Sequence, residues 1–458
     1  MQQLLAIAGL TWKAAFRFRL FWVMCLLLIG AVVGFPVMLK DDGSAQGLTQ
    51  ILLTYTLSAA TTLLGFFTLW FSCGTLARDV EECQMQMIAV KPISRWQVWL
   101  GKWLGILSLN AVLLAVAGAA VFTLLQVRAG HLPPDQQKIL HDEIFVARAS
   151  AKDRVQNIQP YVDEVMKRRK PDPSLSSSDL AEIEKQVAAQ VRFEVEAVPP
   201  GLWRRWVVDL SRVADKVTDQ PLQIRVKFHT AQTSPDTTYP TVWRVGPTNA
   251  PQSTMIEQSL PADSFQEIVI PAHLLDDHNK LIVDFYNGND TPLLFPLEDG
   301  FELLYRETGF GVNFIRGLAV ILCWLALLAA VGLASASFLS FPVAAFASLA
   351  VLVLGLSTST LSSVAENNSV TGFDQSTAKF RHTIIDIVFV PVFKGVFHLV
   401  NLVESFSPID SLSTGRSITW SQLGLAVTQI VFLMGGFFAV VGIILFTRRE
   451  LASAQSDH

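Results

Sequence analysis

Cysteine is too scarce and too scattered to build a covalent framework. The 458-residue chain holds four, Cys25, Cys73, Cys83 and Cys323; none lies in 131–310 and no CxxC pair occurs. That removes a disulfide scaffold and a cysteine zinc site. No GxxxxGK[ST] segment is present, and "LGKW" at 100–103 lacks both the preceding glycine loop and the Ser or Thr that would hold magnesium. ATP hydrolysis by a P-loop is therefore excluded from this chain. Within 131–310 there is neither HExxH nor GxSxG, so zincin and nucleophile-elbow chemistry are unsupported there. Charge is also thin: 16% of residues are charged against 51% hydrophobic, with a mean hydropathy of +0.40. A soluble chain of this length would be two or three domains; this composition points to an integral membrane protein.

The scarcity is uneven. Residues 131–310 carry 27 acidic and 19 basic side chains, net −8, whereas the other 278 residues carry 12 and 16, net +4. A polar, acidic domain is thus spliced into a sparsely charged membrane protein, and its sign argues against nucleic acid as a ligand.

Hydrocarbon cannot hydrogen-bond a backbone, so each crossing should be a helix of about 20 residues. Four charge-free runs fit: Phe21–Leu39, Ile51–Cys73, Trp103–Val127 and Trp420–Phe446. A fifth, Gly317–Ala365, is long enough for a hairpin broken at Pro342. Six transmembrane helices follow. Positive charge is retained on the cytoplasmic side. Lys13, Arg17 and Arg19, then Arg78, Lys91, Arg95 and Lys102, then Arg448 and Arg449 place both termini and the 74–102 connection inside. The acidic insert then faces outside. The stretch 383–403 is apolar, but Asp386, Pro391, Lys394 and His398 interrupt it. A seventh crossing would strand Arg448 and Arg449 outside, so it is assigned to a re-entrant or interfacial segment. The apolar 1–16 stretch reads as a surface helix ahead of the first span, or as the start of one long tilted helix. The first span is a retained anchor rather than a cleaved signal.

The fold class expected is an α-helical polytopic membrane protein with an inserted extracytoplasmic α+β domain. Its divisions are 1–128 (first three spans), 129–312 (helical over 129–197, β-rich and sandwich-like over 198–308) and 313–458 (last three spans, with the outer segment 383–412). Alternation in "LQIRVKFH", "YPTVWRV", "FQEIVIP" and "KLIVDFYN" supplies the strands. His229, His273 and His278 are the domain's metal candidates, but "HLLDDH" has no ligand spacing and is better read as turn residues. In the spans, Thr54, Thr56, Ser58, Thr61, Thr62 and Asn110 read as helix–helix contacts rather than substrate ligands.

The connection 74–103, "GTLARDVEECQMQMIAVKPISRWQVWLGKW", spends nearly thirty residues where five would serve. It begins as an amphipathic helix, breaks at Pro92 and resumes before Lys102. Together with the helix ending at Arg17–Arg19 and "ESFSPIDSL" at 404–412, it resembles the ABC-2 type permease family, the membrane subunits of ATP-driven exporters. That resemblance implies six-span exporter topology in a bacterial inner membrane. It implies that 1–18 is a connecting helix and that 78–90 docks on a nucleotide-binding subunit. Arg78, Asp79, Val80, Glu81, Glu82, Met85, Met87, Ile88, Pro92 and Arg95 would form that coupling surface, while Pro391, Phe406, Pro408 and Asp410 would belong to the outer half-helices. It implies no cofactor in this chain, ATP and magnesium in two copies of a partner ATPase, and a second permease copy or a related permease. The large insert departs from the simplest family pattern. The competing reading is a membrane-anchored sensor or assembly scaffold whose outer domain binds a partner; catalysis is disfavoured because no His/Asp/Glu set converges in the spans.

Overall fold

The computed structural model describes residues 2–39, 43–81, 93–141, 145–153, 157–169, 177–230, 237–247, 253–356, 373–374, 379–380, 389–391, 393–395, 397, 400 and 406–448. The chain divides into two compact units, Met1–Phe145 with Gly309–His458, and Val146–Thr308.

In the first unit, five helices are long and apolar enough to cross a membrane: Arg19–Met38, Gly47–Glu81, Arg95–Ala129, Phe310–Ala336 and Trp420–Arg448. They are called the first to fifth long helices below. A shorter apolar helix, Phe341–Leu356, follows the fourth after the turn at 337–340. The remainder of that expected span, 357–365, lies outside the described residues, as does most of 383–403. Exposed apolar side chains such as Leu26, Val37, Phe346 and Phe432 are what a lipid-facing surface requires, because lipid solvates them as water cannot.

Where helices touch, small residues let the backbones approach. A Cβ at Gly101 would lie 2.7 Å from Ile7 Cβ, and one at Gly105 2.7 Å from Thr11 Cβ. The helix Gln2–Arg17 therefore packs along the start of the third long helix, and Trp12 Nε1 donates to Ser108 Oγ (2.8 Å). A Cβ at Gly332 would similarly meet Ser72 Cβ at 2.7 Å, joining the second and fourth helices. Three of the five long helices widen into π turns, at Gly30–Gly34, Gln50–Thr56 and Val427–Gly435. The Thr56 hydroxyl donates five residues back to the Ile51 carbonyl (2.9 Å), the spacing such a turn presents.

The second unit is built on two four-stranded sheets. One has the order β1 (Val146–Ala151), β11 (Phe301–Gly309), β4 (Leu222–Val226), β8 (Gln266–Ile270). The other has the order β3 (Trp203–Asp209), β9 (Lys280–Tyr286), β6 (Thr238–Val245), β7 (Thr254–Pro261). A three-stranded ribbon has the order β2 (Ala197–Val198), β10 (Leu293–Leu294), β5 (His229–Thr230). Alternate residues of both sheets meet in one core, where Trp206 stacks on Phe301 (centroids 4.6 Å apart, planes at 8°) and Trp243 packs on Phe285. Each such side chain contributes about 2–3 kcal/mol of burial, which gives the unit a core of its own. A helical pair, Gln159–Arg169 and Ser177–Glu196, closes a small separate cluster around Val162, Val187 and Val191.

Two differences from the sequence reading are physical. The expected helical stretch 129–197 contains β1, because Val146, Ala147, Arg148 and Ala149 are all buried at the edge of a sheet. Pairing with β11 overrides the helix propensity of this alanine-rich segment. Residues 129–145 and 309–312 cluster with the long helices rather than with the insert, since Leu132, Leu140 and Phe310 are buried in the bundle core and Phe145 packs against it.

Asp284 is the electrostatic centre of one sheet face. It is 3% exposed and in register with Arg205 and Arg244 on the flanking strands. Arg205 donates to both of its oxygens (2.7 and 3.0 Å) and Arg244 to one of them. Burial alone would raise this carboxyl's pKa, but the hydrogen bonds and charges of the two arginines outweigh it and hold the group below its ordinary value. A carboxyl depressed in the folded state stabilises the fold above its unfolded pKa, near 3.9. That contribution is lost as the pH falls through the lower folded value. The segment 131–308 expressed alone is expected to unfold cooperatively in denaturant and to weaken below about pH 4. Asp284→Asn should cost about 1–2 kcal/mol at neutral pH, discounted because both arginines are partly exposed, and should flatten the acid limb.

Candidate functional site

The charges expected to orient a docking surface converge on one end of the helix bundle. Arg78 lies in the last turn of the second long helix, and its guanidinium sits 5.0 Å from the Phe18 ring and 4.7 Å from the Phe341 ring. That cation–π pair bridges the start of the first long helix and the start of the short apolar helix. Asp79 pairs with Lys102 on the third long helix (2.5 Å), and Lys102 also donates to the Thr75 carbonyl (2.8 Å). Lys102 is 7% exposed. Glu81 Oε1 accepts from the backbone N–H of Phe341 (2.9 Å); a first-turn N–H has no partner within its own helix, and a carboxylate there suits the helix dipole. Val80 is half-buried and packs against the bundle core.

Arg95 completes the arrangement from the other side of the connector. It stands at the first residue of the third long helix, and its Nη1 donates to the carbonyls of Phe446 (3.0 Å) and Thr447 (2.8 Å) at the end of the fifth. A cation there satisfies terminal carbonyls and complements the dipole. Arg78, Asp79, Glu81, Arg95 and Lys102 thus tie five helices together where the connector leaves and returns. Glu82, Met85, Met87, Ile88 and Pro92 lie outside the described residues.

The opposite end holds a second constellation. Pro408 is buried in the first turn of the helix Pro408–Ser413, and Asp410 is exposed, accepting from Ser407 Oγ (2.7 Å). Phe406 packs on the cluster around Ile418, Ala426 and Ile430, while Pro391 is exposed. What holds this segment was not singled out from sequence: Asn313 donates to the Arg416 carbonyl (2.7 Å) and accepts from the Ile418 N–H (2.8 Å). Arg316 donates to the Ile418 carbonyl (2.9 Å). Gly317 leaves room for Leu412, whose Cδ1 would sit 2.6 Å from an added Cβ.

Among the span residues singled out from sequence, Thr61 donates to its own helix, at Leu57 O (2.8 Å). Asn110 is fully buried and donates across to Thr68 Oγ1 (2.8 Å). In the inserted unit the three histidines do not gather. His229 pairs with Asp263 (2.5 Å), whereas His273 adopts a positive φ of 65° and His278 gives its backbone N–H to Asp276 Oδ1 (3.0 Å) in a turn. Among the described residues no three His, Cys, Asp or Glu side chains converge as metal ligands. The exposed face of the β3-β9-β6-β7 sheet carries Trp203, half exposed, with its ring 5.0 Å from Tyr286 and 5.0 Å from the Arg244 guanidinium. No family profile, curated protein or solved structure matches the chain.

Proposed function

We propose that this chain is the membrane subunit of an ABC-type exporter. In this reading it has six spans of the ABC-2 kind, with both termini and the 82–92 connector on the cytoplasmic side of a bacterial inner membrane and the inserted unit outside. It would couple ATP hydrolysis in a separate subunit to movement of a substrate. A single observation carries this reading: the side chains on either side of the connector are tied to the other helices. A force applied to residues 82–92 would pass through Glu81 to the short apolar helix, through Asp79 and Lys102 to the third long helix and through Arg95 to the fifth. Two copies, or this chain with a related permease, would bind two ATPase subunits, and a closed two-fold pair is the commonest assembly.

The topology is tested by reporter fusions. A reporter active only outside should be active after Ala250 and silent after Val90 or at His458. An active reporter at His458 would reject the six-span count and make 383–403 a crossing.

The sensor or scaffold reading draws on the exposed Trp203–Tyr286 pair beside Arg244, since aromatic and arginine side chains are favoured at binding hot spots. It requires a function that survives loss of any ATPase partner.

A further inference from the structure

Arg78 is held by two aromatic rings. Its guanidinium lies 5.0 Å from the Phe18 ring and 4.7 Å from the Phe341 ring, and its N–H groups have no hydrogen-bond or carboxylate partner among the described residues. The carboxylates that follow it are engaged elsewhere, Asp79 by Lys102 and Glu81 by the Phe341 N–H. A guanidinium stacked on rings keeps the edge of its plane, where the donors lie, for an anion.

That cation closes one end of a groove. A cavity of about 300 Å³ is walled by the first and second long helices and the short apolar helix, and every side chain lining it is apolar. Each wall leads back to Arg78. On the first helix the lining begins at Leu20, two residues after Phe18. On the short helix Ala345 and Leu349 line it, one and two turns beyond Phe341, whose ring meets Trp70 edge-on (5.5 Å, 86°). On the second helix Leu63, Phe67 and Trp70 line it, and Gly74 and Arg78 continue the same face at spacings of three and four residues. A Cβ at Gly74 would lie 3.4 Å from the Phe341 ring, so this face stays in contact with the short helix down to the arginine. From Phe341 to Leu349 the groove runs about 12 Å into the bundle.

Size and charge select the occupant. A helix with its side chains is about 10–12 Å wide, so one turn fills roughly 500 Å³; the cavity is too small for a helix of a second copy and suits a single hydrocarbon chain. Lipid tails are as apolar as leucine, so the groove alone would not choose among lipids. The choice falls to the charge at its end, where Arg78 is joined by exposed Arg19, one turn before the lining residue Val23. Arginines at the edge of a membrane-spanning bundle attract anionic headgroups, and a guanidinium pairs well with phosphate.

We propose that this groove binds one acyl chain of an anionic phospholipid, with the lipid phosphate on Arg78. The site rests on the membrane-spanning character of the long helices and is independent of any ATPase.

The test uses the full-length protein in a neutral detergent. Native mass spectrometry follows its retention of phosphatidylglycerol and of phosphatidylcholine with the same chains. Phosphatidylglycerol should be retained about ten-fold more strongly, and Arg78→Gln should remove that preference, Arg78→Lys less so. Ala345→Phe fills the groove with an apolar ring and leaves the arginine in place, so it should lower retention of both lipids. Glu82, four residues beyond Arg78, enters as Glu82→Gln, which should leave the preference within about two-fold of wild type; a ten-fold rise would mean that Glu82 occupies Arg78 and would overturn the proposal. Equal retention of the two lipids by the wild type would overturn it, as would an unchanged preference in Arg78→Gln. Should Arg78→Gln fail to fold, undiminished lipid retention by Ala345→Phe overturns it instead, and if that variant also splits an oligomer, a second copy fills the groove.

Discussion

Lys102→Met is expected to destabilise the full-length protein by about 3 kcal/mol, because it strands the Asp79 carboxylate at a largely buried position. The lysine side chain is 8% exposed and that of Asp79 24%, so Asp79 retains some solvent and the cost falls at the lower end for a broken buried pair. The lysine also satisfies the Thr75 carbonyl (2.8 Å), which loses its donor in the same substitution. Removing both charges, Lys102→Met with Asp79→Leu, should recover much of the loss, since an apolar pair of similar volume replaces an ion pair at little net cost. Denaturant unfolding of the purified protein in detergent reads both variants. A single mutant within about 0.5 kcal/mol of wild type would mean that the pair is solvated and contributes as little as an exposed one.

Reversing Glu81 and Glu82 together to lysine is expected to cause the largest functional loss. The charge of this segment would change sign against a complementary partner, a repulsion strong enough to uncouple subunits. The fold gives Glu81 a second duty that must be separated from docking: its carboxylate holds the Phe341 N–H at 2.9 Å. Glu81→Gln keeps an acceptor for that N–H and removes the charge, so it controls for the loss of the cap. Glu82→Lys alone leaves the cap untouched. If docking uses these carboxylates, Glu82→Lys should lower recovery of an ATPase with this chain and the hydrolysis coupled to it, while Glu81→Gln should leave membrane insertion intact. If only variants at Glu81 have any effect, its part is confined to holding the short apolar helix.

Much of this arrangement was legible in the sequence where it depended on composition and period. The long helices follow from charge-free runs, and several strands of the insert from alternation, as in "KLIVDFYN", which forms β9. What periodicity could not supply were contacts between distant positions. Gly101 and Gly105 sit in "GKWLG", where a glycine pair four apart signals close helix packing; they receive Ile7 and Thr11. Arg316 and Asn313 precede the charge-free run that begins at Gly317, so a reading based on uncharged length starts just past them. From sequence, Arg78, Asp79 and Glu81 read as part of an outward-facing coupling surface and Lys102 as a charge that marks the cytoplasmic side. Only the fold reveals that the first three turn toward Phe18, Phe341 and Lys102. The strand Val146–Ala151 was hidden for the same reason, since its partner β11 lies some 155 residues away.

The central claim, that this chain passes work from an ATPase into the membrane, is tested most directly by purifying the full-length protein from its native membranes without crosslinking. The copurifying chains are identified by mass spectrometry and ATP hydrolysis is measured in the same sample. The account predicts a P-loop ATPase present in stoichiometric amount, with hydrolysis that falls when Glu82→Lys replaces the wild type. A stable, folded protein recovered without any nucleotide-binding chain and without ATP hydrolysis would contradict it.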